Sequence, residues 1–215
     1  GLVGETEAFL RAAGDYGAGH LRASSVLPFF IVDIVTVFRE HYPLIKISVS
    51  SGNSATSLQR LLTYESDVGV LSDHDPDHRL YTRVHDSHFI VAIVSSDHPW
   101  ATRESISITE LHDQPMVMRE VGSNTRSAFE SAANAAGVSP NIVMDIESGE
   151  AVREAVARGH GIGVYGELAL PSDPRLKVLQ FTDAEMKVNR YLACLHERKN
   201  EFLVEAFFDV ATRAR

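Results

Sequence analysis

A strand, a helix and a second strand follow one another in residues 44–71, LIKISVSSGNSATSLQRLLTYESDVGVL. Residues 44–50 alternate apolar and polar side chains with the period of a strand, and 55–64 carry leucines on one face of a helix. The apolar run 67–71 is typical of a short buried strand. Short loops join the three elements, which indicates a parallel βαβ unit with a right-handed crossover.

The same alternation extends to both sides of this unit. Before it we predict a strand at 20–24 and a helix at 25–41, with Pro28 in the first turn, where proline is tolerated. After it the predicted strands are 80–84 and 89–95. The remaining predicted elements are strands 116–118, 142–146, 162–165, 176–179 and 188–195, and helices 124–136, 150–158 and 202–212.

This order predicts an α/β fold made of two similar Rossmann-like lobes. The change of character at Ser96-Asp97-His98-Pro99 marks a crossing, and the strand at 188–195 returns the chain, so two segments cross between lobes. We assign residues 20–94 and 190–215 to lobe I and 95–189 to lobe II. Because ligands of open α/β sheets bind at the carboxyl ends of the strands, a ligand cleft is expected between the lobes.

Composition and charge exclude several classes of protein. The 215 residues carry 20 Lys and Arg against 29 Asp and Glu, a net charge of −9, which repels a phosphate backbone. The longest apolar run, 26–32, is too short to span a membrane, and the first residues show no signal peptide. The single cysteine, Cys194, excludes an internal disulfide and a cysteine-based zinc site. A cytoplasmic location is the simplest expectation.

Four strand-to-helix turns are rich in hydroxyl, amide and glycine residues. Such turns expose backbone N–H groups at helix N-termini, where the helix dipole adds about 0.3–1 kcal/mol of attraction for an anion. Alternatively, each hydroxyl only caps its own helix. The turns are Ser24-Ser25, Gly52-Asn53-Ser54, Gly122-Ser123-Asn124-Thr125 and Ser148-Gly149.

Two arginines, Arg119 and Arg126, flank the third of these turns. A guanidinium binds a phosphonate, phosphate or carboxylate through two hydrogen bonds, although either arginine could instead pair with a neighbouring acid. Glu147 is placed to balance a ligand amine or is simply a solvated charge. Tyr165 is expected to line the cleft.

No catalytic or metal motif is evident. Residues 73–78, Asp-His-Asp-Pro-Asp-His, contain possible ligands, but the proline and the close spacing favour an exposed turn. The glycines of 159–163 precede a strand and therefore do not fit a dinucleotide turn. We find no Gly-x-Ser-x-Gly, HExxH or phosphate-binding loop. The sequence predicts no metal, no cofactor and no enzymatic activity.

The helix predicted at 25–41 is apolar around nearly its whole circumference. A helix on one face of a sheet buries a single stripe, so the rest requires another cover. We predict a homodimer through this helix. The alternative is that the C-terminal helix of the same lobe covers it.

Several segments resemble the effector-binding domain of LysR-type transcriptional regulators. They are His20–Arg22, Val37-Phe38-Arg39-Glu40-His41-Tyr42-Pro43, Asp67–Leu71, His98-Pro99-Trp100 and Val156-Ala157-Arg158-Gly159-His160-Gly161-Ile162-Gly163-Val164. The resemblance implies a type 2 periplasmic-binding-protein fold, a small-molecule effector between the lobes and dimers, or tetramers in the full-length protein. It identifies residues 1–19 as the tail of a linker helix and places DNA binding in a winged helix-turn-helix that this chain lacks.

Within that family, the sequence is most similar to regulators associated with 2-aminoethylphosphonate catabolism. The matching pieces are Gly52-Asn53-Ser54, Arg119-Glu120-x-Gly122-Ser123-x-Thr125-Arg126, Glu150–Val156 and Tyr191–Leu195. Val121, where proline is more usual, and Ala23-Ser24-Ser25 depart from the pattern. The subgroup implies a small zwitterion carrying a phosphonate as the effector.

Two other functions remain open at this point. A solute-binding protein of a transporter would take the same oxyanion or amino-acid-like ligand in the same cleft. An enzyme on the same fold would need a positioned base and nucleophile, which the sequence does not show.

Overall fold

A computed structural model describes residues 19–73 and 76–213. Its ten strands are β1 (His20–Ser25), β2 (Lys46–Ser51), β3 (Val68–Asp73), β4 (Leu80–Ser95), β5 (Ser105–Ile106), β6 (Pro115–Arg119), β7 (Asn141–Ile146), β8 (Ile162–Gly166), β9 (Leu176–Phe181) and β10 (Lys187–Leu195). The α-helices are α1 (Pro28–His41), α2 (Ser54–Leu62), α3 (Asn124–Ala135), α4 (Gly149–Ala157) and α5 (Phe202–Arg213). The linker tail predicted at 1–19 lies almost wholly outside the described residues.

The strands form two sheets that share β4, and each sheet contains three parallel strands. Lobe I contains the order β2-β1-β3-β10-β4, with β1 parallel to both β2 and β3. Lobe II continues through β4-β8-β6-β7, with β6 parallel to both β7 and β8, and β9 pairs with the end of β4. The predicted α/β fold with two lobes is confirmed.

Two long strands carry the chain between the lobes. The sequence predicts separate strands at 80–84 and 89–95, but β4 runs without interruption from Leu80 to Ser95. Its first part pairs with β10, and residues 90–93 pair with β8. The polar residues between the predicted strands continue the ladder because β10 supplies partners for them, including Asn189 for Ser87. A register shift between Arg190 and Tyr191 leaves His85 as an extra residue in β4.

Helix α1 begins at Pro28 and not at residue 25, because Ser25 completes β1. Its buried stripe is Ile31, Ile34 and Phe38, which packs with β1 and with α5 in one core. Thus α5 covers this side, as the alternative prediction had it. Phe29 remains 80% exposed and Val32 52% exposed on the other side of the helix.

A second core fills lobe II between the sheet, α3 and the segment 106–111. None of the described helices is long and apolar enough to cross a membrane.

Candidate functional site

The first turns of α2 and α3 face each other across the boundary between the lobes. The Ala55 amide at the start of α2 donates a hydrogen bond to the Gly122 carbonyl, 3.4 Å away, just before α3. Beside this contact lies a cavity of about 370 Å³. Its walls are Ser54, Ala55, Leu58, Leu71, Asp77, Val121, Gly122, Ser123, Asn124, Arg126, Ser127, Glu130 and Tyr191.

The helix starts at this boundary differ in how they are capped. Asn53 caps α2, because its Oδ1 accepts from the Thr56 amide at 2.9 Å. Ser148 caps α4 in the same way, accepting from the Ala151 amide at 3.2 Å. Ser123 occupies the N-cap position of α3, but its hydroxyl makes no capping hydrogen bond to any described residue. The N-terminus of α3 therefore presents uncapped amide hydrogens beside the cavity.

Asn124, the first residue of α3, also lines the cavity. Its Nδ2 is buried and has no hydrogen-bond partner among the described residues. A buried amide donor without an acceptor costs about 1–3 kcal/mol. A ligand oxygen would remove that cost once the side chain turns its Nδ2 into the cavity, because this atom is itself buried.

Arg126 reaches the cavity wall already paired with acids. Its Nε donates to Glu130 at 2.7 Å, and its Nη1 donates to the Arg119 carbonyl and pairs with Asp145. Burial alone would lower the pKa of Arg126, but these two carboxylates raise it above its ordinary value. The guanidinium therefore keeps its positive charge, and the carboxylates of Glu130 and Asp145 balance it.

Arg119 is paired with its neighbour. Its Nε and Nη2 donate to the Glu120 carboxylate at 2.8 and 3.0 Å, and neither residue lines the cavity. Burial raises the pKa of Glu120, but the hydrogen bonds from Arg119 and Asn53 hold it below its ordinary value. That the two arginines bind an anion directly therefore stays a prediction. In the structure each of them pairs with acidic side chains, as the alternative prediction had it.

Ser24 and Ser25, which the sequence predicts at an effector-binding turn, lie in the interior of the protein. Ser24 and Ser25 are 0% exposed. The Ser25 hydroxyl bonds to the backbone of Leu27, accepting from its amide at 3.0 Å and donating to its carbonyl at 2.8 Å. Neither serine reaches the cavity wall.

Other predicted residues surround the start of α4. The Ser148 hydroxyl donates to Glu150 at 2.9 Å, and the Tyr165 hydroxyl would lie 2.9 Å from a Cβ atom on Gly149. Burial raises the pKa of Tyr165. Glu147 is exposed, and neither it nor Tyr165 lines the cavity.

The remaining predicted residues lie in the first turns of α2 and α3. The Ser54 hydroxyl donates to the Ser72 carbonyl at 2.8 Å, and the Gly52 amide donates to the Ser25 carbonyl at 3.3 Å. Thr125 is partly buried and does not line the cavity. Among the predicted site residues, the cavity thus brings together Ser54, Gly122, Ser123, Asn124 and Arg126.

Several cavity residues were not predicted. Glu130 lies one turn after Arg126, an i,i+4 spacing that the sequence shows. Asp77 belongs to the loop considered for metal, and its carboxylate accepts three hydrogen bonds from Arg79, two of 2.9 Å and one of 2.7 Å. Leu58, Leu71 and Tyr191 form an apolar side that no local pattern marks.

No group of three metal-binding side chains occurs within 19–73 and 76–213, and His74 and Asp75 lie outside these ranges.

Comparison with known proteins gives a family match. The sequence model of the LysR substrate binding domain matches residues 18–215. The transcriptional activator CmpR of Synechocystis sp. is 29% identical over 196 residues, which are 89% of this chain and 64% of CmpR. The transcriptional regulator CysL of Bacillus subtilis is 24% identical over 201 residues, 91% of this chain and 67% of CysL. The chain thus spans about two thirds of the length of these relatives.

Solved structures give the same match. The CcmR regulatory domain of Synechocystis PCC6803 in complex with 2-PG superposes with a TM-score of 0.82 at 26% identity, covering 91% of this chain and 96% of that one. The effector-binding domain of QuiR in complex with shikimate has a TM-score of 0.82 at 19% identity over the same shares, which supports the fold alone. CmpR and CysL are transcription regulators, so a transporter component is not favoured. Their being regulators and not enzymes agrees with the non-enzymatic prediction.

Proposed function

Because the chain belongs to the LysR substrate binding domain family, we propose that it is the effector-sensing domain of a DNA-binding transcription regulator. A small anionic or zwitterionic effector binds between its two lobes, and within that class a phosphonate such as 2-aminoethylphosphonate is favoured. DNA binding belongs to a separate helix-turn-helix domain of the regulator, and the role implies a cytoplasmic protein.

The uncapped N-terminus of α3 at the wall of the cavity carries this proposal. The first-turn amides of Asn124, Thr125 and Arg126 have no intrahelical acceptor, and Ser123 does not cap them. Helix N-termini of this kind bind oxyanions, because the dipole and the N–H groups both favour negative charge. The buried Asn124 Nδ2 adds a donor at the same place.

Two carboxylates at the cavity wall support a positive group on the effector, and each is also paired with an arginine, Asp77 with Arg79 and Glu130 with Arg126. Asp77 from lobe I and Glu130 from lobe II both line the cavity. Because both line the same cavity, they are the carboxylates that an effector amine there would meet, whereas Glu147 is exposed and does not line the cavity. We therefore place the amine between Asp77 and Glu130.

Calorimetry with matched ligands tests the proposed effector class. We expect 2-aminoethylphosphonate to bind more tightly than ethylphosphonate, which lacks the amine, and more tightly than inorganic phosphate. Loss of one charge-assisted contact weakens the affinity about ten- to a hundredfold. Absence of heat with every phosphonate, together with binding of 2-PG or shikimate, would exclude the phosphonate proposal.

Effector binding would act by shifting the equilibrium between open and closed lobes. A shift from 1:99 to 99:1 requires about 5.5 kcal/mol of differential affinity for the closed state. We propose that the change reaches the DNA-binding domain through a dimer formed by α1, with a tetramer as the alternative assembly of the full-length protein.

The exposed Phe29 and Val32 on α1 support this dimer. Light scattering after gel filtration should show a dimer for the wild-type chain and a monomer for Phe29→Glu. Leu168→Glu makes the same change at a 56% exposed leucine of lobe II and should leave the dimer intact. A monomeric wild-type chain at high concentration would contradict the proposal.

A further inference from the structure

One side chain pairs with partners on both sides of the cleft. The Glu120 carboxylate accepts two hydrogen bonds from Arg119 within lobe II and one from Asn53 Nδ2 of lobe I, at 2.9 Å. Arg119 is 21% exposed and Glu120 13% exposed, so solvent screens this charge pair only partly.

Asn53 is held in place for this contact by its own helix. Its Oδ1 caps α2, which fixes the amide plane and directs Nδ2 toward Glu120. The Ala55 amide reaches the Gly122 carbonyl within the same turn. The two lobes are thus joined by a pair of adjacent hydrogen bonds, one from a side chain and one from the backbone.

None of Asn53, Arg119 and Glu120 lines the cavity, whereas their neighbours Ser54, Ala55 and Gly122 do. The side chains of this trio are therefore placed beside the ligand space rather than in it. Their geometry suits a contact that exists only when the lobes are together. A contact of that kind raises effector affinity without touching effector, because it favours the binding-competent state in advance.

We propose that Asn53, Glu120 and Arg119 form an interlobe clasp, with Glu120 as the positioning residue that sets how much of the closed state is populated. This inference rests on the proposed effector-sensing function but concerns a step that occurs without effector. The clasp acts through lobe position, and the effector binds to other residues.

Three substitutions disrupt the clasp to different extents. Glu120→Ala removes the carboxylate and with it the bonds to both Asn53 and Arg119. Serine is a good N-cap, so Asn53→Ser keeps the cap of α2 and removes only the donor to Glu120. Glu120→Gln keeps an oxygen acceptor for Asn53 but loses the ion pair with Arg119. The matched control is Glu110→Gln, which weakens the bidentate pair with Arg103 inside lobe II, where the bonds are both 2.8 Å.

Spin labels at Gln59→Cys on α2 and Ser131→Cys on α3, both exposed positions, measure the distance between the lobes directly. The native Cys194 does not interfere, since it is buried and burial raises the pKa of its thiol to about 11. Without effector, Asn53→Ser and Glu120→Ala should shift the distance distribution to longer values, Glu120→Gln less so, and Glu110→Gln not at all. Unchanged distributions in both clasp variants would overturn the proposal.

Affinity for 2-aminoethylphosphonate and for inorganic phosphate gives a second readout. We expect a loss of about five- to tenfold for Asn53→Ser and Glu120→Ala with either probe, and none for Glu110→Gln. Tighter binding to Glu120→Ala would overturn the clasp and identify Glu120 as an internal competitor for the anion. If neither probe binds the wild-type chain, the effector proposal fails, and the label distances still decide the clasp.

Discussion

The Gly122 α-carbon lies against Ala55 and Asn53 of the opposite lobe. A Cβ atom added to Gly122 would lie 3.2 Å from both Ala55 Cβ and Asn53 Nδ2. The φ angle of Gly122 is +98°, a conformation that side chains disfavour. Glycine therefore meets two requirements here, a backbone conformation and a close approach between lobes.

We predict that Gly122→Ala lowers both stability and effector affinity. The strained backbone should cost about 1–3 kcal/mol of unfolding free energy, and the added methyl should separate the lobes. The control is Gly137→Ala, where φ is +69° and nothing lies within 4 Å of the added atom. Denaturant titration should show a loss in both variants, whereas calorimetry should show weaker ligand binding only in Gly122→Ala. Equal affinity in the two would contradict the close approach.

We predict that Asn124→Ala weakens oxyanion binding without destabilising the fold. The change removes a buried donor that has no partner in the described residues, so unfolding free energy should stay equal or rise by up to about 1 kcal/mol. Affinity for a phosphonate should fall about tenfold. Asn134→Ala, at an exposed position of the same helix, should change neither quantity. A stability loss in Asn124→Ala would mean that the amide serves the fold instead.

We predict that the stabilisation by Asp67 disappears in acid. Its side chain is 8% exposed and accepts hydrogen bonds from Arg22 at 2.7 to 3.2 Å, and Arg198 lies 2.9 Å away. Burial raises the pKa of Asp67, but the two arginines hold it below its ordinary value. A lowered folded-state pKa gives stability that is complete above the unfolded pKa of about 4 and is lost as pH falls through the folded value.

Asp67→Asn should therefore cost about 2–3 kcal/mol at pH 7, a value reduced because Arg22 is 40% exposed. The gap between wild type and variant should narrow below pH 4 in urea titrations. Glu154→Gln breaks an exposed network with Arg158 and Arg175 and should cost much less. A gap that stays constant down to pH 3 would show that Asp67 acts through shape and not through charge.

We predict that Gly166→Ala destabilises the junction of the lobes through His88. A Cβ atom on Gly166 would lie 2.7 Å from His88 Nε2, although the backbone of Gly166 has no positive φ. Overpacking of this kind costs about 1–3 kcal/mol. The double variant His88→Ala, Gly166→Ala should be more stable than the sum of the single changes, measured by denaturation. Combining Gly166→Ala with the remote His98→Ala should give additive losses.

Periodicity predicted most of the fold, because parallel strands and amphipathic helices leave local patterns. The unit at 44–71 appears as β2, α2 and β3 with ends shifted by one or two residues. The interruption predicted within β4 was wrong, because polar residues 85–88 lack an apolar period and the partners of 86–88 on β10 are about a hundred residues away. The sequence likewise did not decide what packs against α1. Its apolar pattern fits both a dimer and packing against α5 of the same chain.

The candidate site was predictable only in part. Helix starts can be located from Asn53-Ser54 and Ser123-Asn124, and these do meet at one cavity. Whether an N-cap side chain accepts a hydrogen bond from its helix depends on its rotamer, which the sequence does not reveal. The Asn53–Glu120 contact joins residues 67 positions apart, so no spacing rule could reveal it.

The position of β10 has a consequence for synthesis of the protein. This strand lies between β3 and β4, and α5 follows it, so the central strand and the covering helix of lobe I are made after the strands of lobe II. On the ribosome, β3 and β4 thus emerge before the strand that pairs with both of them, and the core of lobe II likewise lacks Val188 until β10 is made. Lobe I therefore cannot complete its sheet until the strands of lobe II have been translated, although most of its own residues are made first.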